Sequence, residues 1–463
     1  MAVLTIKNES SIHIGISWKE NSAVRIAAEN LKNDLKKVLG TEVTLGEFKG
    51  GESILVAGVS AEIEGLFDEK KLQDKNGNFR KEAYIRTVSK DRLVIVGTDR
   101  RGTIYGIYDL CEEIGVSPWY FWADVPVKKK EWLVFPEDYE IIDYPSVEYR
   151  GIFINDEEEL ERWAKLHMEE DTIGVHTYEK IFELLLRLKA NYIWPAMHVN
   201  SFNRRKENGA LADRMGIVVG TSHCDMLMRS NNREWLPWLK EKGYEGVKYD
   251  YTIEGRNREI LHEYWRESVI QNRDFEVSYT LGMRGIHDSG FETSNLNGRT
   301  EEELRTQKIE LLETIIASQN EILKEELDKT PLKLFIPYKE VLELYDHGLK
   351  VPDDFTMIWA NDNYGYVRRY PSEEDRKRVG GHGIYYHNSY WSPPGRSYLF
   401  FCSIPLTHTK YELMKAYDEG IQKLWILNVG ALKPLEMEVE FFLRLAWEAG
   451  SAKGRTQDVD SYV

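Results

Sequence analysis

Cysteine is scarce: Cys111, Cys224 and Cys402 are the only three in a chain of 463 residues. They show no CxxC spacing and leave one odd, which argues against a disulfide framework and against a zinc ribbon. Long apolar runs are also missing. The longest, around residues 398–406, is far too short to span a bilayer, so a membrane is not an expected partner. The opening residues, MAVLTIKNES, lack a basic stretch followed by an apolar one; no signal peptide is read, and a cytoplasmic location is expected. Positive charge is in deficit, since 61 Lys and Arg against 77 Asp and Glu leave a formal charge of −16. That is the wrong sign for a polyphosphate, so no nucleic acid partner is expected. No GxGxxG or Walker A pattern follows a predicted strand, and neither HxH nor HExxH occurs; no cofactor and no metal site are expected. No internal repeat of short period is visible.

What is present suits a folded protein. Hydrophobic residues make up 42% and charged residues 30%. The chain holds 13 Trp and 26 Tyr, side chains on which flat sugar rings stack and which a large core also uses. The length predicts two or three domains, or a small domain beside a barrel-sized one. Residues 1–145 mix strand-like runs (3–7 and 53–57) with an amphipathic helix over 22–39, which sets Ala28, Leu31, Leu35 and Leu39 on one face. A hairpin is predicted at 84–88 and 92–96, with its turn at 89–91, then a helix over 103–114 that stops at Gly115. This reads as a small α+β domain with few groups suited to chemistry.

From residue 148 the pattern becomes strand, loop, helix, repeated. Strands are predicted at 148–154, 192–195, 217–221, 276–281, 333–336, 356–360, 383–386 and 424–427, with the near-continuous apolar character of a parallel sheet buried on both faces. Helical spacing intervenes, as in Tyr178, Ile181, Phe182, Leu185 and Leu188. A longer helix carries Leu304, Leu311, Leu312, Ile315 and Ile322 behind a Thr300–Glu303 capping box. An α/β fold, a (β/α)8 TIM barrel over 146–449 preceded by the small α+β domain, explains this best; a doubly wound open sheet is the second compatible fold. Residues 450–463 are small and polar and read as a frayed tail.

In such barrels the working groups stand just past the C-terminal ends of the strands. Here those ends deliver Asn155 and Asp156, Trp194, Ser222 and His223, Arg284 and Asp288, Tyr338 to Glu340, Asn361 to Asn363, His387 and Tyr390, and Asn428. Loops are polar in any protein, yet carboxylates, imidazoles, amides and an arginine at one mouth suit a polar ligand. Several carboxylates without a cofactor motif point to general acid–base chemistry. Glycoside hydrolysis fits, because it needs an acid to protonate the leaving oxygen and a second polar group to place water or stabilise the ring cation. Arg284 can fork a carboxylate. Metal-assisted hydrolysis ranks below this reading. Each residue also has a structural alternative: Asp156 as a helix cap, Glu340 in a first helical turn, Asp362 and Asn363 as turn formers before Gly365. Arg284 and Asp288 can form a rim ion pair, His223 and His387 can be satisfied core histidines, and Trp194 can be barrel core.

Longer stretches are more specific. YRGIFINDEE from Tyr149, FELLLRLKANYIWPAM from Phe182, GIVVGTSH from Gly216, YTLGMRG from Tyr279, PYKEV from Pro337, WANDNYGYVRR from Trp359, YYH from Tyr385 and NVGALKP from Asn428 resemble glycoside hydrolase family 115. So does GTDRRGTIYGIYDLCEEIGVSPWYFWADVP from Gly97. The likeness runs over roughly residues 90–445. It implies a xylan α-1,2-glucuronidase that removes glucuronic acid or its 4-O-methyl form from xylan or xylo-oligosaccharides, with inversion and without a cofactor. The implied partner is a glucuronic acid-bearing oligosaccharide or polysaccharide. Position by position, the resemblance implies Glu340 as the leading catalytic carboxylate and Asn363 as an amide of the same mechanism, with Asp156 or Asp288 as the acidic partner. It implies Asn155, His223, Arg284, His387 and Tyr390 as uronate-binding or pocket-lining residues. Trp194 and Asp362 join the substrate-binding candidates from their strand-end positions.

The chain departs from the family pattern at several places. His198 stands where the family reads the last Trp of WPAMW, Cys224-Asp225-Met226 follows the first His of a TSHHEP-like stretch, and Asn361 takes an acidic position. Ser389 and Ala431 each replace a carboxylate. Family members continue into a helical domain and a C-terminal β domain, which are not expected in this chain. A barrel without those neighbours would expose apolar surface, so a homodimer is expected to cover it. The departures bear on substrate identity more than on reaction class. They also support an alternative, a carbohydrate-binding pseudoenzyme or a hydrolase of a different sugar.

Overall fold

The computed structural model describes residues 3–59, 63, 65–155, 157–388, 402–456 and 458–459. Local punctuation sets the first helix. Asn21 caps Ser22–Leu39 by accepting the Ala23 N–H, and Gly40 ends it in the left-handed conformation that glycine tolerates. Asp99 caps the helix Arg100–Glu113 by accepting the N–H groups of Arg101 and Gly102. Both helices belong to a compact unit made of Met1–Ser146 with Lys180–Asn191 and Arg214–Gly216. Its strands are β1 (Val3–Lys7), β2 (Ile12–Ile16), β3 (Val43–Gly46), β4 (Ile54–Gly58), β5 (Tyr84–Ser89), β6 (Arg92–Gly97), β7 (Trp132–Pro136) and β8 (Glu140–Asp143). Six form one sheet in the order β3-β2-β4-β6-β5-β8, and β1 pairs with β7 as an antiparallel ribbon. Strands β2, β3, β7 and β8 have no counterpart in the sequence reading. Within this unit Arg187 is buried between Asp34 at 2.8 Å and Glu183 at 2.9 Å.

The second compact unit comprises Val147–Glu179, Tyr192–Asp213 and Ile217–Val463. All eight predicted strands form: β9 (Tyr149–Ile154), β10 (Tyr192–Trp194), β11 (Val218–Val219), β12 (Ser278–Thr280), β13 (Leu332–Phe335), β14 (Thr356–Ala360), β15 (His382–His387) and β16 (Leu424–Gly430). Every pairing is parallel, in the order β11-β10-β9-β16-β15-β14-β13-β12. A parallel bridge between Val219 and Val277 brings the two ends of that order together, which makes a (β/α)8 barrel rather than an open sheet. The capping box works as read: Thr300 accepts the Glu303 N–H and opens Glu301–Glu326. The segment read as a frayed tail holds a short helix, Ala452–Thr456. Among the described residues no helix is long and apolar enough to cross a membrane.

The barrel interior is a packed core of Phe153, Tyr192, Trp194, Val218, Leu334, Ile336, Ile358, Tyr385, Leu424 and Ile426. Strand alternation carries these inward rows upward by twos, from Leu424 and Ile426 to Asn428, from Tyr385 to His387, from Phe153 to Asn155, and from Leu334 and Ile336 to Tyr338. The same periodicity that fills the core therefore delivers polar groups to its top. At Gly151 the neighbouring strand comes close, and an added Cβ would meet the Tyr192 carbonyl oxygen at 1.8 Å. Gly151→Ala is expected to lower stability by about 3 kcal/mol or more, through overpacking against rigid backbone. A urea melt shifted by less than a third of that would show that the strands can part to admit a methyl group.

Candidate active site

The upper ends of the inward rows enclose a cavity of about 350 Å³, floored by Phe153 and Tyr385 and rimmed by Asn155, His198, Ser222, His223, Cys224, His287, Asp288, Tyr338, Lys339, Asn363, His387 and Asn428. Its hub is Asp288. One carboxylate oxygen accepts from His223 Nε2 at 3.0 Å and from an Arg284 Nη at 2.8 Å; the other accepts from Lys339 Nζ at 2.5 Å. Burial alone would raise this carboxyl, but the His223 and Lys339 hydrogen bonds and the Arg284 charge hold it well below the usual carboxylate range. Asp288 is therefore an anion at neutral pH and is unsuited to donate a proton. His287, Asp288 and Lys339 all take positive φ (53°, 61° and 53°), a strained backbone for such side chains, and all three line the cavity.

His198, His223 and His387 are neutral. Burial pushes His223 down from 6.5 against the pull of Asp288. Its Nε2 carries the proton donated to the carboxylate, and its buried Nδ1 has no partner among the described residues. Burial, with His223 nearby, takes His387 down to about 3. Asn361 Oδ1 accepts both the backbone N–H (2.9 Å) and the Nδ1–H (2.8 Å) of His387, which leaves Nε2 as an acceptor. Burial, with His287 and His223 adding to it, takes His198 down to about 4. Among the described residues that line the cavity, Lys339 is the one fixed cation, set among amides, hydroxyls and the neutral rings of His198, His223 and His387. His223, Cys224 and Asp288 could approach one metal ion. However, Asp288 already holds two cationic side chains, and burial pushes the Cys224 thiol well up, so the charge balance opposes a dication there.

Most, but not all, of the expected residues come together. Asn155, His223, Asp288, Asn363 and His387 line the cavity. Glu340 opens the helix Glu340–Asp346 after β13; its half-exposed carboxylate is bonded to Arg284 and lines an adjoining cavity instead. Arg284 does not face the cavity as a uronate clamp. It is 2% exposed, and its two Nη groups are taken by Asp288 and Glu340. Trp194 is not a sugar-stacking face: it is fully buried in the core, packed against Phe153 and Tyr385, with Nε1 donating to the Tyr192 hydroxyl. Asp362 is a turn former, whose Oδ1 accepts the N–H groups of Tyr364 and Tyr366 while Oδ2 pairs with Arg368. Asp156 and Tyr390 lie outside the described residues.

The sequence reading missed two important groups. Lys339 sits beside Glu340 in PYKEV, but the resemblance singles out only the carboxylate. Glu157 reads as one more acid at a helix start, yet it is buried and its carboxylate gathers the N–H groups of Met197 (2.8 Å), His198 (2.6 Å), Val199 (2.8 Å) and Asn200 (2.5 Å). It fixes the loop that carries His198 into the cavity wall. Burial raises its carboxyl, and the backbone donors only partly offset that.

Two outcomes follow from this geometry. Removing Arg284 leaves two carboxylates without their shared cation; Arg284→Met is expected to cost about 2–4 kcal/mol in a urea melt, and wild-type stability would show that the pair is idle. His387 stays neutral in the fold down to about pH 3, whereas in the unfolded chain it protonates near 6.5. Between those values the unfolded state binds more protons, so stability falls as pH drops below 6.5. His387→Gln is expected to flatten that fall in melts from pH 7 to pH 4, and an unchanged slope contradicts the neutral assignment.

The profile of glycosyl hydrolase family 115 matches residues 142–463, and that of the glycosyl hydrolase family 67 N-terminus matches residues 5–110. No functionally curated protein matches the chain. Among solved structures, a family GH115 4-O-methyl-α-glucuronidase with specificity for decorated arabinogalactans superposes with a TM-score of 0.88 at 36% identity, over 99% of this chain and 59% of that one. The chain thus spans 59% of that relative's length. Streptomyces plicatus N-acetyl-β-hexosaminidase (TM-score 0.57, 12% identity, 100% of this chain and 90% of that one) shares the fold alone. So does the Bacteroides fragilis β-N-acetylhexosaminidase (TM-score 0.55, 13% identity, 100% and 90%). With its profile matched over the whole barrel and a relative superposed over nearly all of its length, the chain belongs to glycoside hydrolase family 115, a glycosidase family.

Proposed function

We propose that this protein is an α-glucuronidase that removes terminal glucuronic acid, or its 4-O-methyl form, from a branched polysaccharide by inversion. The observation that carries the reading is a one-sugar cavity whose one cation among the described lining residues, Lys339, stands beside an ionised Asp288 and next in sequence to Glu340. Lys339 receives the uronate carboxylate by a charge-assisted hydrogen bond. Neutral His387 Nε2, Asn155, Asn363 and Asn428 take the ring hydroxyls. Glu340 transfers the proton to the leaving oxygen. Asp288, which stays ionised, serves the water-activating or charge-stabilising side, and Asp156 is the other acidic candidate for that side.

Glucuronoxylan is the substrate the sequence resemblance implies. A second reading, a glucuronidated arabinogalactan, is favoured by the specificity of the 36% identical structure. Side-by-side assays on 4-O-methylglucuronosyl xylo-oligosaccharides and on decorated arabinogalactan distinguish them, and NMR of the first-formed sugar should show the β-anomer. On the better substrate, Glu340→Gln is expected to lower kcat by about 10³-fold. Lys339→Met should raise KM roughly tenfold with a smaller effect on kcat, as the loss of one charge-assisted contact. Unchanged turnover in Glu340→Gln would remove the central assignment.

A further inference from the structure

The linings of the first cavity and its neighbour meet at neighbouring positions of the chain in two places. Lys339 lines the first cavity, and Glu340, next in sequence, lines the second. Asp288 lines the first, and Gly290, two residues on, lines the second. The loop between them is folded back on itself, with the Gly285 N–H bonded to the Ser289 carbonyl at 2.8 Å. Arg284 stitches the partition by bonding Asp288 on one side and Glu340 on the other. The second cavity measures about 630 Å³ and is walled by Phe291, Thr293 and the first turns of the helix Glu301–Glu326, and by Glu340, Glu343 and Leu344 of the next helix.

A cavity of about 350 Å³ sits at the small end of ligand sites, so the rest of a branched glycan must leave through the mouth. Glu340, the proton donor of the proposed reaction, lines the larger space beside this partition. We propose that the second cavity is the leaving-group subsite, and that it takes the hydroxyl-rich, neutral sugar residues of the glycan whose uronic acid occupies the first. The inference rests on the hydrolase reading above. Its charge argues for a neutral occupant. Among its described lining residues Glu343 pairs with Arg305 at 3.3 Å and Glu340 with Arg284 of the partition, which leaves Glu301 to balance Lys308. No net positive charge is left to draw a second anion, while charged groups at close range bind vicinal hydroxyls well. Lys308 makes no ion pair or hydrogen bond among the described residues and is the donor available to such hydroxyls. Leu304 and Leu344 supply the apolar surface that covers sugar C–H faces.

The test is calorimetry of the full chain with xylotetraose, with a galactan tetrasaccharide and, separately, with glucuronic acid. Because binding requires no turnover, a failed hydrolase reading and a failed subsite are told apart. One neutral tetrasaccharide is expected to bind with glucuronic acid already present. Lys308→Ala should weaken it about fivefold or more while the glucuronic acid affinity holds. Thr293→Tyr, which fills the same cavity, should weaken it likewise. The proposal is overturned if neither tetrasaccharide binds, if glucuronic acid displaces the one that does, or if both variants bind it as wild type does.

Discussion

One buried guanidinium holds the upper barrel together. Arg284 stands at the end of β12, almost without exposure, and its two Nη groups bond carboxylates from two different loops, Asp288 and Glu340. Each carboxylate on its own would be costly to place beside the other, and each loop carries backbone strain at His287, Asp288 or Lys339. The shared cation offsets both costs. With the His223 and Lys339 hydrogen bonds it keeps Asp288 ionised, and it ties that anion to Glu340, which lines the neighbouring cavity.

The rest of the site follows from barrel geometry. Inward rows alternate every second residue, so a core of Leu424, Ile426, Phe153 and Tyr385 ends in Asn428, Asn155 and His387. Burial above an aromatic floor explains why His223 and His387 are neutral: it disfavours their charged form, and their ring nitrogens become fixed donors or acceptors. Such a cup offers a fixed hydrogen-bond pattern, and under the proposed function Lys339, the one cation among its described lining residues, draws the acidic sugar.

Much of this was legible in the sequence, for identifiable reasons. Parallel strands buried on both faces are long apolar runs, and the Thr300–Glu303 box marks its helix unambiguously. Strand ends then located the mouth, including Asn155, His223, Asp288, Asn363 and His387. What failed was direction. Sequence says that Trp194 ends a strand but not that its ring turns down into the core, nor that Asp362 closes on its own turn. Arg284 was readable as a carboxylate-binding arginine; which carboxylates it binds depends on loops remote in sequence. Glu157 was hidden among the acids of a helix start, since four backbone donors converge on it only once the 197–200 loop is folded. His198 in place of the family's tryptophan was visible, but its burial and its neutral state were not.

The proposal that a uronic acid sits in the first cavity with its anomeric carbon at the partition is tested most directly by a crystal structure of the protein with bound glucuronic acid. The account predicts the carboxylate on Lys339 Nζ, ring hydroxyls on His387 Nε2 and Asn428, and C1 turned towards Glu340. A sugar bound elsewhere, or one seated in the cup with C1 pointing away from Glu340, would contradict it.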